Sequence, residues 1–167
     1  MKVLLLDIDG VLNSLNDRKC KEISLVIVRE KVAILKRIVD ETGATLVLSS
    51  SWRKFWNRGY HQQDSVGWII NQALAEFGLE VWDKIPVLPY ASRNEEIRAW
   101  LVGKSYVHAF AILDDKDMAW DKHLRKHWVH IDGFRTGLTE KDANQAIRLL
   151  NHGPRIKKVL SRKRMRF

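Results

Sequence analysis

At 167 residues, 46% apolar and 29% charged, the chain has the length and balance of one soluble globular domain with a single core. No run approaches the roughly 20 apolar residues of a membrane span, and the one cysteine, Cys20, can staple nothing within the chain, so a reducing cytoplasm is the expected setting. The net charge of +9 gathers at one end: Arg155, Lys157, Lys158, Arg162, Lys163, Arg164 and Arg166 follow Gly153 with no acidic residue among them, which leaves the body almost neutral.

The apolar run at residues 3–6 reads as a buried strand, and the single lysine before it is not the pattern of a cleavable signal peptide. Apolar residues Val28, Val32, Leu35, Ile38 and Val39, with charges between them, predict an amphipathic helix over 25–41 that Gly43 ends. Residues 44–48 form a second buried strand. Ser65 caps a helix over 65–77 with Gly78 after it, and 79–82 is a short strand.

Ser92 and Glu95 have the spacing of a capping box, which starts a helix over 92–102. Strands follow at 109–113 and 128–131. A last helix over 139–150 is capped by Thr139 and closed by Gly153. Alternation of this kind predicts an α/β fold, a three-layer doubly wound parallel sheet. The boundaries expected are a catalytic domain over 1–152 and a basic tail over 153–167.

Chemistry concentrates where strands end. Asp7 and Asp9 lie two residues apart after the first strand, and Gly10 turns the chain away. Alternate residues of an extended chain point the same way, and two like charges repel unless a cation or phosphate chemistry uses them. A calcium loop would need further oxygen ligands and a closing glutamate, whereas here apolar Val11 and Leu12 follow. A strand-ending turn is the plain alternative.

The strand with Asp7-Ile8-Asp9-Gly10-Val11-Leu12 resembles the first motif of the haloacid dehalogenase-like (HAD) phosphohydrolases. The resemblance implies that Asp7 is the nucleophile that becomes an aspartyl-phosphate and Asp9 the general acid/base. Ser49-Ser50-Ser51-Trp52-Arg53, ending the second strand, is similar to the second motif. That likeness implies phosphate binding by Ser49, with Ser50 as helper. The same run resembles small HAD domains associated with nucleic-acid repair and the phosphatase domain of polynucleotide kinase-phosphatases, and by that analogy Arg53 is a bidentate phosphate clamp.

Asp114-Asp115 ends the third long strand and resembles the fourth motif. With Asp7 and Asp9 it makes an oxygen-rich pocket suited to Mg²⁺, with Asp115 the direct ligand and Asp114 its support. Asp117 is expected to begin a following helix. The third motif is a lone cation, assigned to Arg93 at a helix N-terminus, with Lys84 and Lys104 as competitors.

The six histidines have no recognised ligand spacing. Trp52 and Trp56, flanked by Arg53, Lys54 and Arg58, have the aromatic–basic interleaving that suits base stacking. Neither 13–24 nor 53–90 is long enough for an inserted cap domain, so the site is capless or covered by a small flap. An open site admits a bulky chain end.

The function expected is a Mg²⁺-dependent phosphatase for a phosphorylated substrate such as a nucleic-acid end or nucleotide, with DNA or RNA met by the basic tail. Two alternatives stay open: a small-molecule phosphatase with an incidental tail, and a non-catalytic phosphate- or nucleic-acid-binding module.

Overall fold

The computed structural model describes residues 1–17, 26–59 and 61–154. Cys20 and the basic run from Arg155 onward lie outside these residues. Five strands, β1 (Lys2–Leu6), β2 (Thr45–Leu48), β3 (Val81–Lys84), β4 (Ala109–Asp114) and β5 (Trp128–His130), pair in the order β3-β2-β1-β4-β5, all parallel. The helices are α1 (Arg29–Thr42), α2 (Val66–Ala75), α3 (Arg93–Leu101) and α4 (Glu140–His152), with 3-10 turns at Ser51–Phe55 and Leu124–His127.

Strand periodicity divides the core into two layers. Leu4 and Leu6 of β1 face Val32, Leu35 and Ile38 of α1 and Ala143, Ala146 and Leu150 of α4. Val3 and Leu5 face the other way, onto Ile97, Trp100 and Leu101 of α3. Helices cover both sides of the sheet, which is why β1 and β4 read as unbroken apolar runs rather than alternating ones.

The predicted capping holds. Ser65 Oγ accepts from Trp68 N, and capping boxes close at Ser92/Glu95 and at Thr139/Asp142. Gly43 ends α1 with φ 65°, and its N–H donates to Val39 O. Three local expectations differ. The first helix begins at Arg29, because Val28 is extended and serves as its N-cap. The third strand runs two residues later than predicted, since Leu79 N–H closes the end of α2 on Leu74 O instead of joining the sheet. No helix follows Asp117. Its carboxylate accepts from both Arg125 Nη2 and Trp120 N, folding 115–123 into a loop.

The chain runs outward from β1 through β2 to β3, then crosses to β4 on the far side of β1. The strand order therefore reverses between β1 and β4. In open α/β sheets the crevice beyond the carboxyl ends at such a point is where ligands bind.

Candidate active site

Asp7 stands in that crevice. Its N–H donates to Leu113 O at 3.0 Å, tying the end of β1 to the end of β4, while Ser49 N donates to Leu6 O at 2.9 Å on the other flank. The side chain is only 6% exposed. Burial pushes the Asp7 carboxyl up from its ordinary range, against a hydrogen bond from the Ser50 side chain and the positive charge of Arg93.

Asp114 closes β4, fully buried, and its pKa is raised to about 7 by burial and by the charge of Asp7. One of its oxygens accepts from Lys116 N at 2.9 Å; the other, Oδ2, is buried without a hydrogen-bond partner. Asp115 completes a group of three. Single carboxylate oxygens of Asp7, Asp114 and Asp115 all lie within 4.8 Å of one another, and no histidine joins them among the described residues.

Two glycines leave the room that Asp115 occupies. A Cβ at Gly10 would fall 2.3 Å from Asp115 Cγ, and one at Gly133 would fall 2.4 Å from Asp115 Oδ2. Gly10 also has φ 78°, so glycine is required there twice over. Three gathered carboxylates, two of them buried and Asp114 with an unpartnered oxygen, fit a hard divalent cation held through oxygen ligands.

Asp9 stands apart from this group. Trp52 Nε1 donates to Asp9 Oδ2 at 2.8 Å and Asn13 Nδ2 to Asp9 Oδ1 at 3.2 Å. Asn13, fully buried, also accepts from Gly10 N and donates to Val26 O, so it fixes the loop that carries Asp9. The predicted carboxylate set of Asp7, Asp9, Asp114 and Asp115 therefore gathers three members, with the fourth oriented separately.

The serine turn follows β2. Ser49 and Ser50 are fully buried, and Ser49 Oγ has no hydrogen-bond partner. Ser50 Oγ accepts from Trp52 N at 3.3 Å and so caps the 3-10 turn. Arg93, first residue of α3, lies close enough for its charge to oppose the upward shift of Asp7 and Asp114, and its Nη1 is buried without a hydrogen-bond partner. A hydroxyl and a guanidinium nitrogen are thus both unmatched within the protein, Ser49 at the end of the strand beside β1 and Arg93 near enough for its charge to act on Asp7.

Lys84 is committed elsewhere, its Nζ donating to Arg53 O at 3.0 Å and Asn57 Oδ1 at 2.9 Å. Lys104 packs over the Trp100 ring, 4.7 Å from its centroid, before the amino end of β4. Of the three cations weighed, Arg93 is the one facing the carboxylates.

Arg53 does not present its guanidinium as an open clamp. It is 2% exposed, with Nη1 on Ser49 O and Ser50 O and Nη2 on Glu96 Oε2 and Pro86 O. The serine turn, Pro86 and Glu96 supply acceptors for both Nη nitrogens, while Nε is buried without a hydrogen-bond partner. Trp52 and Trp56 are likewise 6% and 3% exposed. Both are core anchors, with their indole N–H groups on Asp9 and Asn71, and offer no open face to a base.

A doubly wound parallel sheet with this acidic crevice at its switch point is the architecture of a HAD-like hydrolase of the phosphatase type. A family model for the HAD domain in Swiss Army Knife RNA repair proteins matches residues 3–143, from β1 into α4, and the chain belongs to that family. No curated protein matches it. Among the described residues there is no inserted cap domain, and no helix is long and apolar enough to cross a membrane.

Proposed function

We propose that this chain is a Mg²⁺-dependent phosphatase that removes a terminal phosphate from a nucleic-acid end by way of an aspartyl-phosphate on Asp7. The observation that carries the reading is the Asp7 carboxylate at the switch point, with Asp114 and Asp115 within 4.8 Å and buried, unmatched Ser49 Oγ and Arg93 Nη1 on the adjoining strand end and helix start.

The cation would be held by Asp7, Asp114 and Asp115. Bound there, it neutralises the carboxylates and the phosphate charge that otherwise oppose each other's approach. Ser49 and Arg93 hold the equatorial phosphate oxygens. An Asp7 oxygen attacks phosphorus as the bond to the leaving oxygen breaks, and that oxygen takes the proton of the Asp9 carboxyl. Asp9, now ionised, removes a proton from water. The resulting hydroxide attacks phosphorus, the Asp7–phosphorus ester bond breaks, and phosphate leaves. Trp52 and Asn13 orient Asp9 for both proton transfers.

The nucleic-acid end is favoured by an uncapped crevice and by the family's occurrence in RNA repair proteins. The basic run from Gly153 onward would supply salt-sensitive attraction to the backbone as a tail separate from the 1–152 domain. One cysteine suits a cytoplasmic setting. The test is phosphate release with Mg²⁺ from 3′- and 5′-phosphorylated oligonucleotides, nucleotides and a sugar phosphate. Release that is highest from an oligonucleotide end and lost in Asp7→Asn supports the reading; equal release from all substrates contradicts the nucleic-acid part of it.

A further inference from the structure

Two segments at the carboxyl ends of β2 and β3 form one rim of the crevice: the serine turn with its continuation over 51–59, and the loop over 85–91. They are tied to each other. Lys84 Nζ donates to Arg53 O and to Asn57 Oδ1, and Arg53 Nη2 donates to Pro86 O at 3.4 Å. Leu88 N donates to Glu96 Oε1, and the other oxygen of that carboxylate meets Arg93. The rim is thereby anchored to the helix start that carries Arg93.

Its apolar side chains face water. Phe55 is 66% exposed and Tyr90 wholly so, and Val87 and Leu88 are exposed on the same loop as Tyr90. Trp52 and Trp56 turn their rings into the core, whereas Phe55, in the same turn, does not. Tyr90 has φ 58° at the third place of the turn Leu88-Pro89-Tyr90-Ala91, where Ala91 N meets Leu88 O at 3.4 Å. A turn led by proline with positive φ at its third place ordinarily has glycine there, and a bulky residue is an outlier. Such strain persists where the surrounding structure holds it, and it gathers at functional sites. Packing does not explain a tyrosine in this place, because the side chain lies in solvent.

The charge of the rim selects its occupant. Residues 51–59 carry Arg53, Lys54 and Arg58, residues 85–91 carry no charged side chain, and neither segment holds an Asp or a Glu. Glu96 matches Arg53, whereas Lys54 and Arg58 are exposed with no ion-pair partner among the described residues. Open aromatic rings beside unmatched cations suit a single strand of nucleic acid, whose unpaired bases stack while its phosphates meet the cations. We infer that this rim is the shelf that receives the strand next to the scissile phosphate, with bases stacked on Phe55 and Tyr90 and a backbone phosphate on Lys54. The tied backbone preforms the shelf, so little ordering of the chain accompanies binding. The inference rests on the phosphatase reading and specifies where its nucleic-acid substrate lies.

The test compares kcat/KM for a phosphate-ended single-stranded oligonucleotide and for glycerol phosphate, each with Mg²⁺. It uses the full-length protein and its Phe55→Ala, Tyr90→Ala, Phe55→Tyr, Tyr90→Phe, Lys54→Ala and Asp7→Asn variants. The basic tail is present in every variant, so its attraction cancels from each comparison. Stacking is lost with the ring, so Phe55→Ala and Tyr90→Ala should each lower the oligonucleotide-to-glycerol-phosphate ratio about tenfold, and Phe55→Tyr and Tyr90→Phe should retain it. Lys54→Ala should reduce by about one the slope of log kcat/KM for the oligonucleotide against log salt concentration. Asp7-dependent release with ratios unmoved by both alanine variants overturns the shelf and leaves the phosphatase standing. No Asp7-dependent release from either substrate overturns both.

Discussion

Arg53 Nη2 donates to Glu96 Oε2 over 2.6 Å, with the two side chains 3% and 7% exposed, and Arg93 Nε lies 3.5 Å from the same oxygen. One buried carboxylate therefore serves two guanidinium groups, one beneath the serine turn and one facing Asp7. Glu96 Oε1 also accepts from Leu88 N at 3.2 Å. Burial works to lower the Arg53 pKa, as does the charge of Arg93, while Glu96 holds it up.

Removing the shared carboxylate strands both cations. Glu96→Ala should cost about 3–5 kcal/mol, the range for breaking a buried pair by deleting one partner. Urea unfolding measures it directly. Arg53→Lys should be strongly destabilising as well, since an ammonium cannot reach Ser49 O, Ser50 O and Glu96 together.

Metal binding should depend on pH through Asp114. Its pKa is about 7 in the folded chain against an ordinary 3.8. Between those values the unfolded chain has lost the proton that the folded chain keeps. Without metal, stability therefore falls as pH rises from about 4 to about 7 and is level above. A cation must displace that proton at low pH and need not at high pH. The rise in Tm on adding Mg²⁺ should thus be larger at pH 8 than at pH 5. An equal rise at both would remove Asp114 from the cation site.

Gly133→Ala tests the placement of Asp115. The added methyl would sit 2.4 Å from Asp115 Oδ2, so the carboxylate must move. The Mg²⁺ concentration for half-maximal activity should rise about tenfold or more, a size typical of disturbed metal sites. The far-UV circular dichroism should be unchanged.

Trp52→Phe keeps the buried ring and deletes the N–H that holds Asp9 Oδ2 at 2.8 Å. We expect kcat to fall about tenfold, a fraction of the roughly 10²–10⁴ that acid–base help supplies. KM should hold, because Trp52 hydrogen-bonds Asp9, the proposed acid/base, and is not among the residues proposed to hold the phosphate.

Much of this was legible in the sequence where local chemistry and strand pattern coincide. Asp7, Ser49, Asp114 and Asp115 each follow an apolar run, and a parallel sheet brings the carboxyl ends of such runs together. The caps at Ser65, Ser92 and Thr139 were readable because they depend on neighbours three residues away. Arg53 was not. Its partner Glu96 is 43 residues distant, and no local signal separates a buried ion pair from an open phosphate clamp. Asn13 was invisible for a similar reason, since its task is to join Gly10, Asp9 and Val26. Trp52 was noticed for its ring, while its N–H does the positioning.

The most direct test of the central claim is a single turnover quenched in acid, with the mass of the peptide carrying Asp7 measured at intervals. Asp9→Asn should slow hydrolysis of the ester and let the intermediate accumulate. The account predicts one added phosphoryl group on Asp7 that rises and then decays as phosphate appears. Phosphate release with Asp7 unmodified throughout, or release that persists in Asp7→Asn, would contradict it.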